Sequence, residues 1–302
     1  MDLRQLRQFV AVAEELHFGQ AAARLNMTQP PLSQSIQALE RELGVQLFER
    51  TKRTVELTSV GRQWLAHVRQ VLDGASGLAD TARRLSRGEI GSLRLSFVST
   101  ADYSVLPEMV GRYRAAYPHV ELTMREATSD VQIEALLADE VDVGLIIAPS
   151  KASLHQSLCY RPLLSEPLVA AVPTSWVEAG RQGFGAPALE PADFFQAPLI
   201  VFPRRAAPAF HDIVSGYFAE HHVPFATYQE AIQMQTIVGL VASGLGVALV
   251  PQSMTNLQRQ GATYLPLAGH VPSVETGMAW RRSDRNPALE TFLAAATPFD
   301  IA

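Results

Sequence analysis

A small helical head and a larger α/β body, joined by one long helix, is the architecture this 302-residue sequence predicts. Three observations lead there. Residues 1–58 read as short helices, two of them separated by a three-residue polar turn. Residues 58–88 carry an unbroken polar–apolar helical pattern that ends at Arg87-Gly88. From Ser92 onward short apolar runs alternate with helical stretches, the texture of an α/β domain.

The chain is too long for one compact core to be the default, so at least two domains are expected. Its 47% hydrophobic and 18% charged residues fit a soluble globular protein, and no apolar run approaches the ~20 residues that span a bilayer. The first stretch, MDLRQLRQFVAVAEEL, is amphipathic, carries acids and lacks a small-residue cleavage site, so no signal peptide is expected. Cys159 stands alone, which excludes an internal disulfide framework and fits a reducing cytoplasm. The net charge of −5 is unevenly spread: residues 1–88 hold 12 Lys and Arg against 9 Asp and Glu, and residues 89–302 hold 13 against 21. A mildly basic head on an acidic body suits a nucleic-acid-binding module attached to something else.

Within the head, a first helix is expected over Leu3–Glu15, with Leu6, Phe9, Val10 and Ala13 on one face. A second, Gly19–Leu25, presents Ala21, Ala22 and Leu25, small enough for close helix packing. Asn26-Met27-Thr28 forms the turn, Thr28 is a good N-cap, and Pro30 and Pro31 fall in a first turn where missing N–H groups cost little. The third helix, Gln29–Leu43, has the stripe Leu32, Ile36, Leu39 and Leu43 and stops at Gly44. Helix, three-residue turn, helix, preceded by a packing helix, is the helix-turn-helix layout. Gln29, Ser33, Gln34 and Gln37 on the outward face of the third helix are groups that reach base edges without stranding a charge. On a generic helix they would read as a solvated face; the preceding layout favours DNA. Beyond Gly44, Leu47-Phe48 and Val55-Leu57 are expected as two short strands around a tip at Thr51–Thr54, a wing whose Arg50, Lys52 and Arg53 suit phosphate or minor-groove contact.

Residues 3–68 closely resemble the DNA-binding domain of LysR-type regulators. The resemblance rests on Phe9, Val12, Ala21-Ala22, Leu25, Gln29-Pro30, Ser33, Ile36, Leu39-Glu40, Leu43-Gly44, Leu47-Phe48, Arg50, Leu57-Thr58 and Gly61. It implies a winged helix-turn-helix whose third helix is the recognition helix, so Gln29, Pro30, Ser33 and Gln34 take a DNA-contact role by position. Two positions depart from the common pattern. His17 stands where serine is usual and is expected as a cap or a packed side chain, and Gln34 stands where arginine is frequent.

Thr58 is expected to cap a linker helix reaching about Ser86, with Val60, Trp64, Val68, Val71, Leu72, Ala75, Leu78, Ala82 and Leu85 at three- and four-residue steps. So long an apolar seam needs a partner, either its own domain or another subunit. The resemblance implies the latter: a homodimer through this helix, assembling further to a homotetramer. Gly74 and Gly77 weaken its middle.

Residues 91–302 resemble the family's effector-binding domain, which implies the two-lobed fold of periplasmic small-molecule binding proteins. The lobes are expected at 91–162 with 268–302 and at 163–267, with crossovers near Leu163–Val172 and Leu265–His270 and a small-molecule effector in the cleft. The strand LRLSFV leads to Ser99 and Thr100, with a helix expected from near Tyr103. The run ELTMREATSD places Thr128 and Ser129 before a helix expected at Val131, and PLIVFP leads to Arg204, Arg205 and a helix near Pro208. Hydroxyls and free N–H groups at helix starts suit an anion, and paired arginines suit a carboxylate. Phe202 and Met234 supply an apolar wall or serve the core. By position these turns, including Pro203 in VFPRRAAPAF, match the family's effector site, most closely the branch responding to aromatic-catabolism acids. The glycines of GLVASGLGVALVP follow a helix and precede a strand, the wrong order for a dinucleotide fingerprint.

The expectation is therefore a cytoplasmic, sequence-specific DNA-binding transcriptional regulator with three kinds of partner: double-stranded DNA, a small carboxylate effector, and RNA polymerase. No catalytic constellation, cofactor or metal site is expected: paired-cysteine spacing, P-loop and nucleophile elbow are all missing, and His221-His222 are adjacent, a poor bidentate pair on a helix. Turnover would favour an enzyme instead, and a body indifferent to ligands an architectural DNA protein. A solute carrier is opposed by the head.

Overall fold

The computed structural model describes residues 1–51, 54–147, 154–195 and 197–296. It divides into two compact units, 1–84 and 85–302.

In the first unit, α1 (Leu3–Glu15), α2 (Phe18–Arg24) and α3 (Gln29–Leu43) pack around Phe9, Val12, Leu32, Ile36 and Leu39, all fully buried. The apolar spacing predicted this face, and α1 and α3 match their expected limits. Asp2 and Gln5 form a reciprocal cap at the start of α1. His17 caps α2: its Nδ1 accepts from the backbone N–H groups of Gly19 at 3.1 Å and Gln20 at 3.2 Å. Gly44, at φ 70°, ends α3 in the left-handed region that favours glycine. The wing consists of β1 (Phe48–Arg50) and β2 (Val55–Leu57), antiparallel, with Phe48 opposite Leu57.

The long helix α4 (Ser59–Ser86) has 28 residues and a length of about 42 Å. Thr58 starts it, accepting from Gly61 N–H at 2.9 Å while donating to the Gln46 carbonyl at 2.9 Å. Gly61 is required there, because a Cβ would lie 2.3 Å from the Leu47 carbonyl oxygen. The first turns of α4 complete the head's core: Trp64 packs on Phe9 with ring centroids 4.8 Å apart, and Val68 is buried. Farther along, Val71 and Leu78 lie more than half exposed.

The second unit is built on one strand that serves two sheets. β6 (Leu158–Pro173) runs 16 residues. Its first part pairs antiparallel with β11 (Ser273–Arg281), up to Pro167. From Leu168 it pairs with β9 (Ala248–Pro251) and β10 (Ala262–Pro266). On the β11 side, β5 (Val143–Ile147), β3 (Ile90–Phe97) and β4 (His119–Glu126) follow in that spatial order, the last three parallel to one another. On the β9 side, β7 (Leu199–Val201) bridges to β9 through Leu199 and Val247 and pairs parallel with β8 (Thr227–Glu230). Each side thus repeats one plan, three parallel strands closed by antiparallel ones, which makes two lobes from one continuous β6.

Helices cover these sheets: α5 (Ser99–Asp102), α6 (Leu106–Ala116), α7 (Ser129–Leu137), α8 (Thr174–Glu178), α9 (Pro208–Glu220), α10 (Met234–Ala242) and α11 (Pro287–Ala295). The helix expected from Tyr103 is instead two pieces. α5 starts four residues earlier and ends at Asp102, and α6 starts at Leu106, with Pro107 in its first turn. Close approach explains Gly246, where a Cβ would meet the Pro198 carbonyl oxygen at 2.3 Å. The strands β8 and β10 and the first half of β6 went unread in the sequence. They are short or polar: all four residues of β8 are exposed, so no apolar run marks them.

Candidate functional site

Two places gather the residues the sequence singled out. The first is the outer face of α3. The stripe Leu32, Ile36 and Leu39 is buried, which turns the opposite side outward. Gln29, Pro30, Gln34 and Gln37 are exposed and Ser33 is half-buried. Thr28 occupies the N-cap position but forms no side-chain cap, and because Pro30 and Pro31 carry no N–H, Gln29 supplies the one backbone donor of the first turn.

Arg50 is differently placed from a free wing cation. Its guanidinium donates to the Glu40 carboxylate at 2.9 Å, lies 4.7 Å above the Phe18 ring and touches Ser33 Oγ at 3.5 Å. The other Glu40 oxygen accepts from Leu47 and Phe48 N–H at 2.9 and 3.1 Å. Arg50 therefore ties wing to helix, with its charge answered inside the head. Lys52 and Arg53 lie outside the described residues.

The second place is a cavity in the body, with about 120 Å³ open to water-sized molecules. It lies at the carboxyl ends of five of the six parallel strands: Val98 follows β3, Glu126 ends β4, Ile147 ends β5, Phe202 follows β7 and Ile232 lies just past β8. Chain crossings leave a crevice at such ends, where ligands settle in open α/β sheets. The starts of α5, α7, α9 and α10 supply most of the remaining wall. None of these four helices carries a side-chain cap on its first turn.

Ser99, Thr100, Thr128, Ser129, Phe202 and Met234 come together in this wall. Thr100 is 2% exposed and its Oγ1 has no hydrogen-bond partner. Ser129 Oγ accepts from Ile147 N–H at 3.1 Å, which pins the start of α7 to the end of β5. Phe202 is buried edge-on against Phe210, with centroids 5.9 Å apart, so it belongs to the core and to the wall at once, as does Met234.

Pro203, Arg204 and Arg205 are not in this wall, contrary to expectation. Arg204 forms a two-pronged pair with Asp212 at 2.8 and 3.0 Å, and Arg205 reaches Glu230 at 2.8 Å; both arginines are about two-thirds exposed. The carboxylates are near neighbours on α9 and β8, and solvated pairing there costs less than burying a guanidinium. Arg204 also holds the Asp212 carboxyl below its usual range.

Sequence reasoning missed Glu126, Asp130, Ile133, Ala207–Phe210 and Gln233 in the wall. Asp130 Oδ1 is buried without a partner. The available signal was position for all but Gln233, since the others lie within a few residues of a strand-to-helix turn already noted; Gln233 follows β8, which left no apolar mark. A second hollow, beside the residues that follow α5, is lined by Tyr103, Ser104, Glu108, Glu166, Ser253 and Asn256. Glu166 is 1% exposed and accepts from Ser253 N–H at 2.5 Å and Ser253 Oγ at 3.0 Å. Burial raises its pKa against these two hydrogen bonds, which lower it.

Known proteins similar to this chain belong to one family. Residues 3–62 match the model for the bacterial regulatory helix-turn-helix protein, lysR family, and residues 86–298 match the LysR substrate binding domain. The chain is 55% identical over 297 residues to the HTH-type transcriptional regulator IlvR of Caulobacter vibrioides, covering 98% of each chain. It is 37% identical over 293 residues to the HTH-type transcriptional regulator AlsR of Bacillus subtilis, covering 97% of this chain and 94% of the other. Among solved structures, full-length CbnR in complex with its target DNA superposes with a TM-score of 0.80 at 28% identity, covering 98% of both chains.

Proposed function

The chain belongs to the LysR family and is a DNA-binding transcriptional regulator with an effector-binding domain, not an enzyme; we propose that a small carboxylate metabolite in the body's cavity controls it. The observation that carries this reading is the convergence of five strand ends and uncapped helix starts on one cavity holding the orphaned Thr100 hydroxyl. Free N–H groups at helix starts bind anions, and Ser99, Thr100, Thr128 and Ser129 add hydroxyls beside them. Phe202 and Met234 provide apolar surface for the rest of the ligand.

On DNA, Gln29, Pro30, Ser33, Gln34 and Gln37 read base edges in the major groove. Lys52 and Arg53 meet the phosphates, and Arg50 supports them from its place on Glu40. The functional division is a head at 1–58, a linker helix at 59–88 and a two-lobed sensor at 91–302. The exposed Val71 and Leu78 of α4 favour pairing with a second copy, giving a dimer and on to a tetramer. Such an assembly binds paired half-sites in the cytoplasm, and effector binding changes DNA bending or contact with RNA polymerase. Control of this kind requires the effector to prefer one arrangement of the protein over another.

Titration of carboxylate metabolites against the protein on its operator tests the reading. A changed footprint or bend angle is expected with at least one of them. An unchanged footprint with every carboxylate that occupies the body would remove the sensor function.

A further inference from the structure

The geometry of the cavity points to a more definite occupant: we propose an α-amino acid with a small aliphatic side chain, bound as the zwitterion, its ammonium on Asp130. The inference rests on the carboxylate reading above and adds the ligand's second polar group.

The wall of the cavity is unequal in charge. Among the described residues it holds two carboxylates, Glu126 and Asp130, and no lysine, arginine or histidine. The two arginines nearest in sequence are engaged by Asp212 and Glu230 outside it. A ligand whose polar groups were all anionic would set its charge beside these acids with no cation between them. A ligand that also carries a cation answers them.

Two unpartnered atoms call for donors. Asp130 Oδ1 and Thr100 Oγ1 are both buried without a hydrogen bond, and a buried acceptor in that condition costs free energy until a donor reaches it. An ammonium has three donors and suits Asp130, while the Thr100 hydroxyl can accept a second N–H or donate to a carboxylate. The opposite wall has the complementary character. α9 and α10 begin there with neither an acidic residue in the first turn nor a side-chain cap, so their free N–H groups take the carboxylate. The two charged groups of an α-amino acid, separated by one carbon, match two such walls facing across a narrow space.

Size and polarity limit the side chain. A closed cavity of about 150 Å³ takes a benzene molecule, so about 120 Å³ takes a compact ligand. Ile133, Ile147, Ile232, Phe202 and Met234 supply apolar surface for it. An aliphatic side chain meets that surface without a polar group left unpaired.

The test uses the full-length protein and calorimetric titration with L-alanine, L-valine and L-leucine. Each is paired with the matched 2-hydroxy acid and the matched acid unsubstituted at that carbon, and the matched amine lacking the carboxylate is titrated beside them. At least one amino acid is expected to bind about tenfold or more tightly than both its partners, the scale of a charge-assisted hydrogen bond. In Asp130→Asn that preference is expected to vanish, the amino acids losing affinity while the amine-free acids, relieved of one neighbouring negative charge, bind at least as tightly as before. The ranking in the unsubstituted protein needs no variant and stands whether or not Asp130→Asn folds. If the amine-free acids bind as tightly as the amino acids, the amino-acid inference falls and the carboxylate reading survives. If the matched amines lacking a carboxylate bind as tightly as the amino acids, both fall.

Discussion

Glu40 and Arg50 hold the wing against the recognition helix. The guanidinium donates to one carboxylate oxygen at 2.9 Å, and the other oxygen accepts from the Leu47 and Phe48 backbones. At 13% exposure, the Glu40 side chain serves three donors that have little access to water. Glu40→Ala is expected to lower head stability by about 2–4 kcal/mol, the cost of leaving partly buried donors and a cation unmatched. Chemical denaturation followed by Trp64 fluorescence measures it; a loss below about 0.5 kcal/mol would mean these bonds are replaced by water.

Gln34 is exposed on α3 and stands where a longer cation is frequent in the family. Gln34→Ala is expected to cost about 1–3 kcal/mol against the preferred operator, the worth of one good base contact, while random duplex is bound as before. Competition binding across single-base operator variants checks this. An equal loss on every duplex would place Gln34 on the phosphates.

Arg204 and Arg205 lie outside the cavity wall and are paired at the surface. Arg204→Ala and Arg205→Ala are therefore expected to leave effector affinity within about twofold, since exposed pairs contribute little to the structure around them. Thr100→Val should weaken it about tenfold, because a buried wall hydroxyl without a partner is lost. Calorimetry on the three variants separates the cases, and a large loss in Arg204→Ala would return that arginine to the site.

Glu166 makes the stability of the body depend on pH. Burial raises its carboxyl pKa in the folded state above the unfolded value. Across the window that opens at about pH 4, the folded protein holds more protons than the unfolded chain. Stability then falls as pH rises through that window and levels off above the folded value. Glu166→Gln removes this contribution, so its melting temperature should gain on the wild type as pH rises from about 4. Parallel melts across pH 4–8 read the difference; a constant offset would show that the buried carboxyl is not the source.

Much of the head was legible because its signals are local. A 3.6-residue apolar period, a proline pair in a first turn and a stopping glycine mark α1, α3 and the start of α4, and Thr58 caps as its type suggests. His17 could be expected as a cap because its ring nitrogen, like a serine hydroxyl, reaches back to the next N–H groups. In the body, apolar runs marked the buried strands β3, β5 and β9, while β8, exposed throughout, left no such mark.

What the residue order by itself determined is the helices of the head, the apolar strands of the body, the outward polar face of α3 and three of the turns that surround the cavity, since each depends on neighbours within a few positions. Only the tertiary structure decided where the charges went. Whether Arg50, Arg204 and Arg205 face a ligand or a carboxylate depends on Glu40, Asp212 and Glu230, 8 to 25 residues away along the chain. Folding likewise set Asp130 and Thr100 in one wall without partners, although 30 positions separate them. Coulomb attraction and desolvation act through space, so these pairings become definite once the strands are in register.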